Sequence, residues 1–335
     1  MGKVELLDCT LRDGGYINNW EFGDETIRNV SEKINQSGVE ILELGFLRDE
    51  ETNSNRAVWN DLNDVKKYIP ADRRSLISVM GEIFNPYPLE KIPNRDENSV
   101  DILRIICWRK LKDEALIYCS ELIKKGYKVC IQPDRVNQYS IDEFKQLCTE
   151  YAAINPYAIY VVDSNGFLSQ REILEYMDAA DSVLPRNIKL GYHGHNSIMQ
   201  TEGAAELIVE KKYARDIIID GSVYGIGRAS GNLNIEIFAK YLNENSNGQY
   251  TISSFLEVFD NCIKQIYENS KWGYSMESYI SSLYRCNPNY ASILKKEYGL
   301  SINQIETVIN MLSEEDKVIT NRPILKELVR KVEIK

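Results

Sequence analysis

What most constrains the fold of this chain is an alternation. Short β-branched runs take turns with amphipathic stretches of roughly 12 to 18 residues, the pattern of repeated βα units around a parallel sheet. The strand-like runs are Val4 to Cys9, Val39 to Phe46, Ser75 to Gly81, Val100 to Trp108, Lys128 to Pro133, Ala158 to Asp163, Ile188 to His193 and Ala214 to Ser222. Helical periodicity fills the intervals, as in Leu111 to Lys125, Ile141 to Ala153, Gln170 to Val183 and Thr201 to Lys212. Boundary residues agree: Asp24 opens the first helix and Gly38 closes it, Gly126 ends the fourth, and Ser140 starts the fifth. Eight alternations within about 240 residues favour a closed (β/α)8 TIM barrel. An open doubly wound sheet would carry a Gly-rich phosphate turn after its first strand, and none is present.

The pattern predicts a barrel over residues 1–243. The polar run Asn243 to Gly248 reads as a linker, and residues 251–335, helical in pattern without further strands, read as a C-terminal helical domain. A hydrophobic fraction of 43% with 27% charged residues suits a folded enzyme. The net charge of −10, with no basic stripe, argues against a nucleic-acid partner. No apolar run approaches membrane-spanning length and the N-terminus lacks a signal pattern, so the expectation is a cytoplasmic protein without a membrane partner. The seven cysteines, at 9, 107, 119, 130, 148, 262 and 286, form an odd set without a Cys-X-X-Cys pair and read as buried reduced thiols.

The chain has two histidines, His193 and His195, at the end of the seventh strand-like run. Residues two apart on a strand face the same way, so both imidazoles can meet at the carboxyl end of a barrel, where barrel enzymes place their chemistry. A hydrogen-bonded pair is the alternative. The first run ends in Arg12-Asp13-Gly14-Gly15, bringing a carboxylate and a guanidinium to the same mouth, with two glycines that let the chain turn sharply. Asp13 would complete a two-His, one-carboxylate metal set; an Arg12/Asp13 ion pair is the other reading. The loop Gly221 to Asn232 after the eighth run is either a phosphate cradle or a turn with Asn232 as helix cap.

Thr10-Leu11-Arg12-Asp13-Gly14, His193-Gly194-His195-Asn196 and Gly225-Ile226-Gly227-Arg228-Ala229-Ser230-Gly231-Asn232 occur in order at three strand ends. Together they resemble the DRE-TIM metallolyase superfamily, and most closely its 4-hydroxy-2-oxovalerate aldolase, HMG-CoA lyase-like branch. The resemblance implies a divalent metal ion held by Asp13, His193 and His195, with Asn232 as a further ligand, and Arg12 beside the substrate carbonyl. Mn²⁺ is favoured, with Mg²⁺, Co²⁺ and Zn²⁺ as alternatives. Asp163-Ser164-Asn165-Gly166 is similar to a substrate-contacting segment, which makes Ser164 and Asn165 substrate residues. Glu43 resembles an acidic residue of the second strand that touches substrate or supports the barrel. Tyr290, in Pro288-Asn289-Tyr290-Ala291, matches an active-site tyrosine of the aldolase branch or packs in a core.

The branch this implies is a metal-dependent aldolase cleaving a 4-hydroxy-2-oxo acid to pyruvate and an aldehyde. An acyl-CoA-dependent Claisen-type synthase or lyase, and a catalytically silent barrel serving as a binding module, are the alternatives. The aldolases carry a histidine base where this chain has Tyr16. With both imidazoles committed to metal, the base is Tyr16, its phenolate stabilised by nearby cations, or hydroxide generated at the metal. The aldolase branch also implies a partner aldehyde dehydrogenase on the helical tail; self-association into a homo-oligomer is an equal use for such an extension.

Overall fold

The structure, a computed structural model, describes residues 2–333. Its eight barrel strands are β1 (Val4–Asp8), β2 (Ile41–Leu47), β3 (Leu76–Glu82), β4 (Ile102–Cys107), β5 (Lys128–Pro133), β6 (Ala158–Asp163), β7 (Lys189–Gly194) and β8 (Ile217–Gly221). Each pairs in parallel with the next, and β1 pairs with both β8, Val4 opposite Ile217, and β2, Leu7 opposite Ile41, which closes the cylinder. This is the TIM barrel expected from the sequence. A two-residue strand, Val58–Trp59, adds to the outside of β2 where the register shifts between Glu43 and Phe46. Gly45 sits in that bulge at φ 116, and a Cβ there would lie 2.1 Å from the Ala57 carbonyl oxygen.

Outer helices run over Asp24–Ser37, Lys112–Lys124, Ile141–Ala152, Gln170–Val183, Thr201–Glu210 and Ile235–Asn245. Their inward faces follow the helical period, for example Phe144, Leu147, Cys148 and Tyr151. Ser140 caps its helix in a capping box with Glu143, and Gly38 ends the first helix at φ 92. Two intervals depart from regular alternation. After β2 there is only the single turn Leu62–Val65 with a 3₁₀ extension, and after β3 only a 3₁₀ turn at Leu89–Lys91. Pro86, Pro88 and Pro93 deny the second interval a helix.

Inside the barrel the two-residue pleat stacks Leu7, Ile41, Ile102, Cys130, Ala158 and Ile218 as an apolar plug. One pleat step up, the same alternation brings Glu43, Arg104 and Asp220 into a buried polar layer. All seven cysteines are buried and unbridged.

The helix before the linker runs on to Asn245, past the predicted boundary at Asn243. Tyr250, beyond it, is tied to the barrel by its hydroxyl, which donates to Glu40 Oε2 at 2.9 Å. Phe255, Val258 and Ile263, from the segment Ile252–Ile263, join the main hydrophobic core. A separate core forms from Ile280 onward, where Tyr290, Leu294, Ile305, Val308, Leu325 and Val329 pack between the helices Met276–Leu283, Asn289–Lys296, Ile302–Asn310 and Arg322–Glu333. The last two residues of the predicted extension, 334 and 335, lie outside the described residues. Among the described residues no helix is long and apolar enough to cross a membrane.

Candidate active site

The carboxyl end of the barrel gathers Asp13, His193 and His195. Asp13 ends a short helical turn, Thr10–Asp13, that follows β1, and the imidazoles project from the end of β7 with ring centroids 5.3 Å apart. One potential ligand atom from each of the three lies within 4.8 Å of the others. Ligand atoms about 2.1 Å from a common ion are separated by roughly 3 to 4.2 Å, so a slight closure would complete a site.

Several features fit such an ion. Asp13 Oδ1 is paired with Arg12 Nη1 at 2.5 Å, while Oδ2 is buried without a hydrogen-bond partner. The ion-pair and ligand readings of Asp13 are therefore compatible, one oxygen for each. Asn232 Oδ1 is also buried and unpartnered, because the amide is turned so that Nδ2 donates to the Ile226 carbonyl at 3.0 Å. His195 Nδ1 lies 3.2 Å from the Gly231 carbonyl oxygen, an arrangement that puts the proton on Nδ1 and leaves Nε2 as the lone-pair nitrogen. His193 Nδ1 is 3.0 Å from Asp220 Oδ2, an ion-pair distance without hydrogen-bond alignment. Gly227 leaves room for the cluster, since a Cβ there would stand 2.5 Å from Asp13 Oδ2.

The electrostatics suit deprotonated ligands. Burial works against the Asp13 carboxylate, but Arg12 and the two imidazoles outweigh it and hold the group well below the ordinary carboxylate range. Burial pushes His195 down to about 4, so its imidazole is neutral at physiological pH. Asp220, though buried, is kept below its ordinary value by Arg104 and His193.

Arg12 is held from two sides, by Asp13 and by Glu43 Oε2, which accepts from its Nε at 2.8 Å. No acceptor for Arg12 Nη2 occurs among the described residues. The same Glu43 oxygen accepts from Arg104 Nη1 at 2.9 Å, and Arg104 also pairs with Asp220. A buried chain thus runs from Asp13 through Arg12, Glu43, Arg104 and Asp220 to His193. Glu43 does not line the cavity, and it acts on the site through the arginines it holds.

The cavity itself, about 70 Å³, is lined by Arg12, Asp13, Tyr16, Gln132, Asp134, Ser164, Arg228 and the two histidines, with Met80, Ile106 and Val162 as an apolar wall. An outer chamber of about 310 Å³ adjoins it, sharing Tyr16, Ile106, Asp134 and Arg228 and bringing in Asn165 and residues of the C-terminal helices. Ser164 Oγ donates to Asp134 Oδ1 at 2.6 Å and accepts from the Arg135 backbone N–H at 3.0 Å, which fixes the loop after β6. Asp163 organises that loop by accepting from the Gly166 and Leu168 amides.

Several expectations change. Tyr16 stands at the rim, and although its side chain is 41% exposed, its titrating end is crowded by the site. Desolvation raises that phenol above its ordinary value, and Arg12 only partly opposes the shift. The protein groups around it thus favour the neutral phenol. Tyr290 is fully buried in the C-terminal core, where its hydroxyl donates to the carbonyls of Asp316 and Ile319 and accepts from the Asn321 amide. The structure does not bring it to the cavity; from the same segment, Asn287 reaches the mouth and accepts from Arg228 Nη2 at 3.2 Å. In the loop after β8 the amides of Gly225, Gly231 and Asn232 are spent on the carbonyls of Ser222, Arg228 and Gly225. The helix beyond is capped at Asn234 rather than Asn232. Gly14 and Gly15 also differ in purpose: both have helical backbone, and a side chain would collide with Ile226 at the first and Trp20 at the second.

Residues 108–260 match the protein-family model described as HMGL-like. The chain carries an HMGL-like domain. The matched stretch contains His193, His195 and Asn232, while Asp13, in the turn after β1, and Glu43 and Arg104, on β2 and β4, lie before it. The chain is 22% identical over 245 residues to a protein of Bacillus cereus named 4-hydroxy-2-oxovalerate aldolase, covering 72% of this chain and 70% of that one. It is likewise 22% identical over 275 residues to a protein of Mycobacterium tuberculosis named oxaloacetate decarboxylase, covering 81% and 79%. The crystal structure of the HMG-CoA lyase of Brucella melitensis superposes with a TM-score of 0.64 at 14% identity, over 81% of this chain and 100% of that one.

Proposed function

We propose that this chain is a divalent-metal-dependent carbon–carbon lyase that releases the enolate of pyruvate from a 4-hydroxy-2-oxo acid. The observation that carries the reading is the shared cavity of Asp13, His193, His195 and Arg12, with two buried oxygens, Asp13 Oδ2 and Asn232 Oδ1, left unpartnered. A divalent ion held by these residues would supply Lewis-acid polarisation of the carboxylate and carbonyl of a 2-oxo acid. Manganese is favoured, and magnesium, cobalt and zinc suit the same donors. The names of the curated relatives support this reaction class.

Arg12 is fixed by Asp13 and Glu43 and turns its remaining Nη2 to the carbonyl oxygen that becomes enolate. Fixed donors aimed at developing negative charge are among the strongest catalytic devices. Asp134 is the cavity carboxylate left over once Asp13 is assigned, and it takes the proton of the 4-hydroxyl. The C3–C4 bond then breaks with its electron pair passing into the enolate, C4 leaves as an aldehyde, and protonation at C3 gives pyruvate. Met80, Ile106 and Val162 keep water from the reacting carbons.

The test is exchange of deuterium into the methyl group of pyruvate with each of the four metals, followed by a pyruvate-release screen over 4-hydroxy-2-oxo acids. Absence of exchange with every metal defeats the reading and favours a silent binding barrel. A second reading, decarboxylation of a 2-oxo diacid such as oxaloacetate, is favoured by a specific observation. Both imidazoles lie in the triad and Tyr16 is held as the phenol, and loss of carbon dioxide from C3 needs no acceptor for a hydroxyl proton. Bicarbonate-coupled assay of oxaloacetate beside the aldol substrates separates the two.

A further inference from the structure

We infer that the substrate is a 3-deoxy-2-oxo sugar acid, its polyhydroxylated chain lying in the outer chamber, so that the aldehyde released is an aldose. The inference rests on the lyase reading above and concerns the part of the substrate away from the breaking bond. The inner cavity, about 70 Å³, is much smaller than the chamber beside it, so a substrate whose 2-oxo acid end meets the triad extends outward from it. Whatever is attached to C4 must continue into the chamber of about 310 Å³ that shares Tyr16, Asp134 and Arg228 with it.

That chamber has an apolar part, formed by Ile106, Trp108 and Ile319, and a polar part. Glu82, Asp134, Arg135 and Asn165 come from the barrel, and Asn287, Asn289 and Thr320 from the C-terminal helices and their loops. Three of its lining residues hold a buried polar atom with no hydrogen-bond partner: Asn165 Oδ1, Arg135 Nε and Thr320 Oγ1. Asn165 is only 6% exposed. Native proteins leave few such atoms, and a cluster of three around one space calls for a ligand that supplies both donors and acceptors. A methyl or other apolar tail would leave all three unmet.

The unpartnered atoms suit hydroxyls; of the two arginines lining the chamber, Arg135 is neutralised by a carboxylate, while Arg228 donates to the neutral Asn287 Oδ1 at 3.2 Å. Arg135 pairs with Asp134 at 2.6 Å, and in the adjoining cleft Arg109 pairs with Glu143 and Arg322 with Glu297. A row of hydroxyls can donate and accept at once, which is what Asn165 Oδ1, Arg135 Nε and Thr320 Oγ1 between them require. The wall is also built in advance. Arg135 adopts a left-handed backbone with φ 52, rare for a residue with a side chain, and its guanidinium donates to the Val318 carbonyl at 3.0 Å and lies over Trp108.

The experiment compares pyruvate release by the full, Mn²⁺-loaded chain from 4-hydroxy-2-oxopentanoate, with a methyl tail, and from 3-deoxy-2-oxohexonate, with a hydroxylated one. We expect kcat/KM to be at least about tenfold higher for the second, as one or more added hydrogen bonds would give. Thr320→Val should lower that preference about tenfold through KM of the longer substrate, and Thr320→Ser should restore it. Equal or lower kcat/KM for the hydroxylated acid, with deuterium still exchanging into pyruvate, overturns the inference and leaves the lyase reading standing. No exchange with any metal removes both.

Discussion

Arg104 on β4 and Asp220 on β8 are ion-paired across the barrel interior, and neither side chain is exposed to solvent. Asp220 also faces His193 Nδ1 at 3.0 Å, so one carboxylate serves both the internal arginine and a candidate metal ligand. Carboxylates behind ligating histidines set ring orientation and basicity, and their loss typically costs 10- to 100-fold in metal affinity. Asp220→Asn should show a loss of about that size in a calorimetric metal titration. It should also melt earlier, because removing one partner of a buried pair costs about 3–5 kcal/mol where the remaining charge is uncompensated, and Glu43 offsets only part of that. Unchanged metal affinity would count against the role given to Asp220.

Arg12 and Asp13 are adjacent but should fail differently. Asp13→Asn removes the carboxylate that faces both imidazoles, so metal binding and turnover should fall together. Arg12→Lys keeps a positive charge but loses the planar fork that spans Asp13 and Glu43. We expect near-normal metal binding with kcat lower by about 10²- to 10³-fold, the usual loss on removing one donor to a developing oxyanion. Retained kcat in Arg12→Lys would take the enolate from this arginine.

Asp134→Asn should divide the two proposed reactions. Aldol cleavage needs an acceptor for the hydroxyl proton and should drop by about 10²- to 10⁴-fold, whereas decarboxylation should persist. The measurement is paired initial rates on a 4-hydroxy-2-oxo acid and on oxaloacetate. Equal losses would indicate that Asp134 only holds the loop, through Ser164 and Arg135.

His195, pushed down to about 4 chiefly by burial, gives a pH signature with a definite sign. Its folded value lies below the unfolded reference of about 6.5, so the folded chain binds fewer protons there. The associated stability is present above about pH 6.5 and is lost as pH falls through about 4. Asp163, which burial pushes up to about 6, acts in the opposite direction, its contribution present at low pH and lost as pH rises through about 6. Because the chain has two histidines, NMR of the metal-free protein can follow the rings directly, with His193→Gln for assignment. A His195 midpoint near 6.5 would contradict the buried geometry.

Tyr290→Phe should weaken the C-terminal core without altering the chemistry. The substitution removes the hydroxyl that ties Asp316, Ile319 and Asn321 together. A loss of about 1–3 kcal/mol is expected, measured by denaturant unfolding, with deuterium exchange into pyruvate unchanged. Loss of exchange at normal stability would return this tyrosine to the reaction.

The barrel was legible because buried parallel strands are apolar runs and the helices between them keep their period, as at Ile141–Ala152. The triad was legible because two histidines two residues apart can only face one way on a strand. Arg104 and Asp220 were missed, although each leaves a trace as the one charged residue within an apolar run, in Ile102–Cys107 and Ile217–Gly221. An inward-facing charge on a barrel strand needs a partner, and its partner lies on a strand distant in sequence. The position of Tyr290 could not be read from its motif, since burial in a second core depends on how four helices meet. The loss of a helix after β3 was written in its prolines and went unread. The outer chamber has no local signature, because it exists only where barrel loops face the tail.

That shared wall has a consequence for how such a protein could diversify. The reacting groups stand on barrel strands and their loops, whereas Asn287, Asn289 and Thr320, which face the distal part of any ligand, belong to the tail. On the proposed reading the chemistry belongs to the barrel, whereas choice of substrate is shared between barrel loops and the tail. Exchanging the tail for that of a relative would retune which molecule is accepted while the reaction centre is inherited intact.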